Sequence, residues 1–143
     1  MSSVFRKPVC LEQLNALSRN TLIDHLGIVF TAVGEDWLQA TMPVDERTRQ
    51  PYGLLHGGAS VVLAETLGSS AGNLCVDTRE QVCVGLEINA NHLRAVRSGV
   101  VTGTARAVHV GRTTQVWEIR IENAQGKPVC LSRLTLAVVP AQG

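Results

Sequence analysis

Hydrophobic positions along the chain fall first at helical spacing and later at alternating spacing. Leu11, Leu14 and Leu17 recur every third residue, which predicts a first helix over 11–17. Segment 20–27 opens on Asn20-Thr21, residue types that cap helices, and stops at Gly27, which predicts a short second helix. Segments 28–33 and 37–44 read as strands, and Gly34-Glu35-Asp36 between them suits a hairpin turn. The polar stretch 45–53 carries Pro51 and Gly53 and reads as a loop. The longest apolar segment, 54–75, places Ala59, Val62, Leu63, Thr66, Leu67 and Ser70 near helical spacing. It predicts a buried helix from about Gly57 to Leu74, packed tightly on all sides. Gly68 and Gly72 inside it cost about 1 kcal/mol each against Ala, so something must pack very close to them.

After Gly85 the period becomes two. Val101, Gly103, Ala105 and Ala107 alternate with polar neighbours. So do Gln115, Trp117, Ile119 and Ile121, and again Leu134, Leu136 and Val138. Gly111 and the run Asn123-Ala124-Gln125-Gly126 supply turns. The expected plan is α+β: two early strands, one long helix, then about four antiparallel strands, giving a sheet of roughly six strands over the helix. All 143 residues are expected to form one domain, with no repeat, linker or low-complexity tract.

Composition narrows the function classes. Hydrophobic residues make up 45% and charged residues 17%, a balance that excludes a disordered chain. The formal net charge of +1 gives no ground for a nucleic-acid or membrane-surface partner. No apolar run approaches the ~20 residues of a membrane span, and the N-terminus lacks the apolar core of a secretory signal. A cytoplasmic location is therefore expected, with reduced thiols. Cys10, Cys75, Cys83 and Cys130 contain no C-x-x-C pair, so no metal site is expected and the cysteines read as small core residues.

Three features carry candidate chemistry. The segment Gln50-Pro51-Tyr52-Gly53-Leu54-Leu55-His56-Gly57-Gly58 brings an amide and a histidine to the start of the long helix. The first N–H groups of a helix lack internal partners, and with no side chain on Gly57 a ligand carbonyl can approach one, as in an oxyanion hole. The bland alternative is a flexible entry into the helix, with His56 as its cap. Glu65 is the only charged residue between His56 and Val76. A carboxylate in so apolar a segment is a candidate general base or nucleophile. Its structural alternative is a carboxyl bonded to nearby backbone or to Ser69. Gly57 and Glu65 lie about 12 Å apart along one helix, so one small reacting group cannot easily touch both. If both act on one carbonyl, Glu65 should come from a second copy. Two such helices packed across a two-fold axis, with glycines allowing close approach, would form two equivalent sites. Finally, residues 88–117 hold Arg94, Arg97, Arg106 and Arg112 and no acidic residue, together with His92 and His109. Such an excess suits a phosphate-bearing ligand or, equally, a solvated strand face.

The segments QPYGLLHGGASVVLAETLGS and VGLEINANHLR resemble the hotdog-fold acyl-CoA thioesterases, over most of the chain. The resemblance is to the branch of the 4-hydroxybenzoyl-CoA thioesterases, and within it to the 1,4-dihydroxy-2-naphthoyl-CoA hydrolases of menaquinone synthesis and the proofreading thioesterases of the enterobactin pathway. It implies a long helix wrapped by a curved antiparallel sheet, and a dimer of dimers with sites between subunits. It implies Glu65 as the catalytic carboxylate, Gly57 as backbone donor to the thioester oxygen, Gln50 and His56 as residues orienting the carbonyl, and Ser69 as an assisting hydroxyl. It further implies that Gly85, the segment His92, Leu93, Arg94 and Ala95, and the turn His109, Val110, Gly111, Arg112, Thr113 and Thr114 hold the CoA moiety. The activity implied is hydrolysis of an aromatic acyl-CoA without a metal or organic cofactor, an aryl carrier protein being the alternative partner. A dehydratase and a non-catalytic acyl-CoA-binding module are the rival readings.

Overall fold

The structure is a computed structural model and describes residues 3–142. Its order is α1 (Leu11–Leu17), α2 (Leu22–His25), β1 (Val29–Val33), β2 (Trp37–Pro43), α3 (Gly57–Asn73), β3 (Gln81–His92), β4 (Val100–Val110), β5 (Thr114–Glu122) and β6 (Pro128–Pro140). The six strands form one sheet in the order β1-β2-β4-β5-β6-β3 with every neighbouring pair antiparallel. No helix among the described residues is long and apolar enough to cross a membrane.

The helices and turns fall where the pattern puts them. Thr21 caps α2 by accepting from Ile23 N–H, and Gly27 closes it at φ +73°. The alternating positions Val101, Gly103, Ala105, Gln115, Trp117, Ile119, Ile121, Leu134 and Leu136 all face inward and are buried. Strand β3 is the exception. It begins at Gln81, before the change of period, bulges between Gly85 and Glu87, and is exposed along most of its length. It lies at the sheet's edge, so one flank of its backbone has no strand partner among the described residues.

Helix α3 lies in the curl of the sheet, but on one side only. Ala59, Leu63, Ala64, Leu67, Gly68, Ala71 and Gly72 are buried, while Val62, Glu65, Thr66, Ser69, Ser70 and Asn73 are half-exposed. The expectation of a helix enclosed on all sides is corrected accordingly: the sheet covers one face, and the other carries the polar residues. The two interior glycines meet the chain's own strands. A Cβ on Gly68 would lie 2.6 Å from a Leu134 methyl, and one on Gly72 would strike Leu136 and lie 2.6 Å from Gln115 Oε1. The close packing that the sequence calls for at these two glycines is therefore met by the chain's own sheet. Gln115 is fully buried and satisfied: its Oε1 accepts from Trp117 Nε1 at 2.9 Å and its Nε2 donates to Gly72 O at 3.4 Å.

The four cysteines are free. Cys83 and Cys130 are buried, Cys75 is half-buried, and Cys10 is exposed, so the core-filler reading fails for Cys10. Burial, with Cys83 alongside, pushes the Cys75 thiol up to about 12.

Gly72→Ala inserts a methyl where neither Leu136 nor Gln115 has room. Overpacking of this kind is expected to destabilise the protein by about 1–3 kcal/mol, read from the urea midpoint.

Candidate active site

The loop before α3 is held by backbone bonds at several points. Leu55 N–H donates to Val96 O at 2.8 Å, and His56 N–H donates to Thr48 O at 2.8 Å. Thr48 is buried and its hydroxyl donates to Pro43 O. Gln50 stands in a tight turn closed by Gly53 at φ +82°. Its side-chain Oε1 accepts from Tyr52 N–H at 2.6 Å, which leaves the Nε2 group free to donate.

The first turn of α3 has one donor to spare. His56 Nδ1 accepts from Gly58 N–H at 2.8 Å, and His56 O accepts from Ala59 N–H and Ser60 N–H. Of the four leading N–H groups, only Gly57's has no acceptor among the described residues. The cap reading of His56 and the oxyanion reading of Gly57 are thus compatible. An Nδ1 that accepts must be unprotonated, so a neutral His56 carries its proton on Nε2 and presents it as a second donor. The ring of His92 lies against the same residue: a Cβ on Gly57 would be 3.0 Å from His92 Nε2.

Glu65 lies two turns further on. It is half-buried, so the chain alone does not seal it away from solvent as the sequence reading expected. Its carboxylate reaches β3, where a Cβ on Gly85 would come 2.7 Å from Glu65 Oε2. Only glycine leaves the carboxylate that space. Ser69 follows one turn later on the same face, and its hydroxyl has no partner among the described residues, so the proposed Glu65–Ser69 bond is not formed. Asn73, another turn on, ties the helix to the strand. Its Oδ1 accepts from Cys83 N–H at 2.9 Å, and its Nδ2 donates to Cys83 O at 3.3 Å and Ser69 O at 2.9 Å.

The expected site residues therefore fall into two groups. Gln50, His56, Gly57, His92, Leu93, Arg94 and Ala95 gather at the N-terminal end of α3. Glu65, Ser69 and Gly85 lie further along, nearer the end of the sheet where the β4–β5 turn sits. That turn, with Val110, Gly111, Arg112, Thr113 and Thr114, is level with Gly85, because Thr114 pairs with Ala137 and Ala137 with Val84. His109 folds its ring over Gly111. Gly85 and His92 are seven residues apart on β3, or roughly 20 Å. One chain does not bring the two candidate CoA segments together.

The arginines separate as well. Arg106 pairs with Asp36 at 3.0 Å and belongs to the solvated face of the sheet. Arg94 donates to Pro128 O at 3.0 Å, while Arg97 and Arg112 form no ion pair among the described residues. The sequence reading missed a cavity of about 560 Å³ beside the open face of α3. Ser69, Ser70 and Asn73 form its helical wall, and segment 6–10 with Leu14 and Phe30 closes the opposite side. Nothing periodic marks residues 6–10, so their role was not readable from spacing. Among the described residues no cluster of three His, Cys, Asp or Glu side chains could hold a metal ion.

A helix with a free N-terminal donor, a carboxylate two turns on, and an enclosing antiparallel sheet define the class. The chain belongs to the thioesterase superfamily, whose model matches residues 52–130, and its fold is the hotdog fold of that family. It is a member of a family of thioester hydrolases. A thioesterase of Pseudomonas aeruginosa, crystallised as a mutant, superimposes with a TM-score of 0.95 at 62% identity, over 96% of this chain and 99% of that one. The 1,4-dihydroxy-2-naphthoyl-CoA hydrolase of Escherichia coli is 51% identical over 95% of this chain and 99% of its own length. A proofreading thioesterase of Cronobacter sakazakii is 54% identical over 95% of this chain and 98% of its own.

His56→Ala removes the cap acceptor at Gly58. The expected cost is about 1 kcal/mol of stability, read by denaturant unfolding, and His56→Asn should recover much of it.

Proposed function

We propose that the protein hydrolyses aromatic acyl-CoA thioesters at sites completed by a second copy of the chain. The observation that carries the reading is the N–H of Gly57, free among the described residues, with a carboxylate on the same helix too far along to share a substrate with it. The thioester oxygen accepts from Gly57 N–H and is flanked by His56 Nε2–H and the free amide of Gln50. The positive end of α3 stabilises the charge that develops there. The partner subunit's Glu65 attacks the carbonyl carbon or takes a proton from the attacking water. Ser69 assists beside it.

The exposed edge of β3 supports the two-copy arrangement. Val84 and Leu86 on this strand are 44% and 62% exposed, and its free backbone flank offers a pairing edge. Two such edges running antiparallel lay the Gly57 end of one chain beside the Glu65 end of the other. The two separated CoA segments then also meet, one from each chain. A dimer of dimers would build on this unit.

The cavity along α3 supports an aromatic acyl group. It starts one turn beyond Glu65, roughly 6 Å along the helix, and its lining sets apolar side chains such as Leu14, Ile23 and Phe30 beside polar and charged ones such as Ser69, Arg6 and Asp77, a mixture that suits a hydroxylated aromatic ring. An acid named in the Escherichia coli relative, dihydroxynaphthoate, is a flat bicycle with hydroxyl groups. The proofreading relative supplies the second reading, an acyl group delivered on an aryl carrier protein. A cytoplasmic setting belongs to the same proposal.

The test is thiol release from 1,4-dihydroxy-2-naphthoyl-CoA or a stable analogue, benzoyl-CoA, straight-chain acyl-CoAs and an aryl-loaded carrier protein. Turnover is expected to be fastest on aryl-CoA. Glu65→Gln should lower kcat about a thousandfold with a much smaller change in KM. Thiol release unaffected by Glu65→Gln would contradict the mechanism, and faster turnover of straight-chain substrates would contradict the acyl assignment.

A further inference from the structure

His92 terminates the exposed edge strand β3, and its imidazole turns back onto the first residue of α3. A Cβ built on Gly57 would lie 3.0 Å from Nε2 and 3.1 Å from Cε1 of this ring. Ordinary bond lengths then keep Nε2 within about 6 Å of Gly57 N. The ring forms no hydrogen bond with another described residue and is exposed. Glycine at position 57 therefore does two things at once. It leaves the helix's free N–H open to a ligand, and it lets an uncommitted imidazole nitrogen stand beside that N–H.

We propose that His92 is a catalytic residue of the hydrolysis, donating a hydrogen bond from Nε2 to the thioester sulfur as the carbon–sulfur bond breaks. The proposal rests on the thioesterase reading given above. A carbonyl oxygen bonded to Gly57 N–H holds its carbon about 1.2 Å away, and the sulfur is bonded to that same carbon. In the orientation proposed, the sulfur faces the histidine side of that carbon and so falls within reach of the ring beside Gly57. His56 and Gln50 are committed to the oxygen, Glu65 can only accept when ionised, and Arg94 donates to Pro128 O. His92 is the group left to meet the leaving atom.

The step balances without another reagent. An oxygen nucleophile adds to the carbonyl carbon. The carbon–sulfur bond then breaks with its electron pair passing to sulfur, and the thiolate is held by Nε2–H until it leaves. It takes its proton from solvent, and His92 ends the cycle unchanged. A hydrogen bond to a developing anion is one of the stronger kinds and is worth little in the ground state, where the thioester sulfur is a poor acceptor.

The experiment compares one aromatic acyl group on two thiols: CoA, and 5-thio-2-nitrobenzoate, whose thiolate is stable without help. Wild type, His92→Ala, His92→Gln and Glu65→Gln are run on both. With the CoA ester, His92→Ala should lower kcat about 10- to 100-fold with little change in KM. His92→Gln should recover part of the loss, since its amide still donates. With the nitrobenzoate ester, His92→Ala should lose less than about fivefold, while Glu65→Gln should fail on both esters. A rise in KM at unchanged kcat would overturn the proposal and make His92 a CoA-binding residue. Equal losses of kcat on the two esters would also overturn it. Full turnover by Glu65→Gln would bring down the thioesterase mechanism itself, separately from the role of His92.

Discussion

The contact between α3 and the inner face of the sheet governs where everything else can be. Gly68 lies under Leu134 and Gly72 under Leu136 and Gln115, while Gly103 on β4 leaves room for Leu63 and Leu67. A side chain at any of these points would meet a buried side chain of the facing element, which would have to shift. With the glycines, a 17-residue helix sits close enough for its ends to touch the ends of the strands. Gly57 then meets His92 at one end, and Asn73 meets Cys83 at the other. The helix cost of two interior glycines is about 1 kcal/mol each, and buried leucine surface packed against them offsets it.

The same contact separates the chemistry into two parts. The polar end of α3 supplies hydrogen-bond donors: Gly57 N–H, and His56 and Gln50 with their acceptor atoms already engaged by Gly58 and Tyr52. The open face two turns on supplies the acceptor, Glu65, with space made for it by Gly85. In the proposed mechanism the first group stabilises an oxyanion and the second generates it. Along one helix the two are about 12 Å apart, a distance that a single carbonyl group does not span. An edge strand with an unpaired flank runs between them, and antiparallel pairing of that edge is the simplest way to bring unlike ends together.

Much of this was legible in the sequence because local rules and tertiary packing agree. Leu11, Leu14 and Leu17 mark α1, and the alternation through Trp117, Ile119 and Ile121 marks an inward strand face that the structure buries completely. His56-Gly57-Gly58 marked the start of α3, and the eight-residue spacing to Glu65 is the ground on which the proposal of a second chain rests. What spacing could not convey was which face of α3 the sheet leaves open. Val62, Thr66 and Ser70 lie on that face, although they seemed as regular in the sequence as the buried set. The start of β3 was hidden because an edge strand exposed on most of its length has no two-residue rhythm. The arginine-rich stretch was one block in sequence, but the extended strand β4 spreads its members out, with Arg94 and Arg97 before it, Arg106 along it and paired to Asp36, and Arg112 in the turn after it. The cavity depends on residues 6–10, which pack by position alone.

The central claim is that each active site draws its donors from one chain and its carboxylate from another. Mixing two inactive variants tests it most directly. Glu65→Gln damages only the acceptor end, and Gly57→Val only the donor end. After unfolding and refolding together, heterodimers carry one doubly damaged site and one intact site. With random pairing, thiol release should return to roughly a quarter of the wild-type rate, although each variant alone stays near zero. If the mixture remains as inactive as its two components while forming mixed dimers, Glu65 and Gly57 serve the same site within one chain, and the account is wrong.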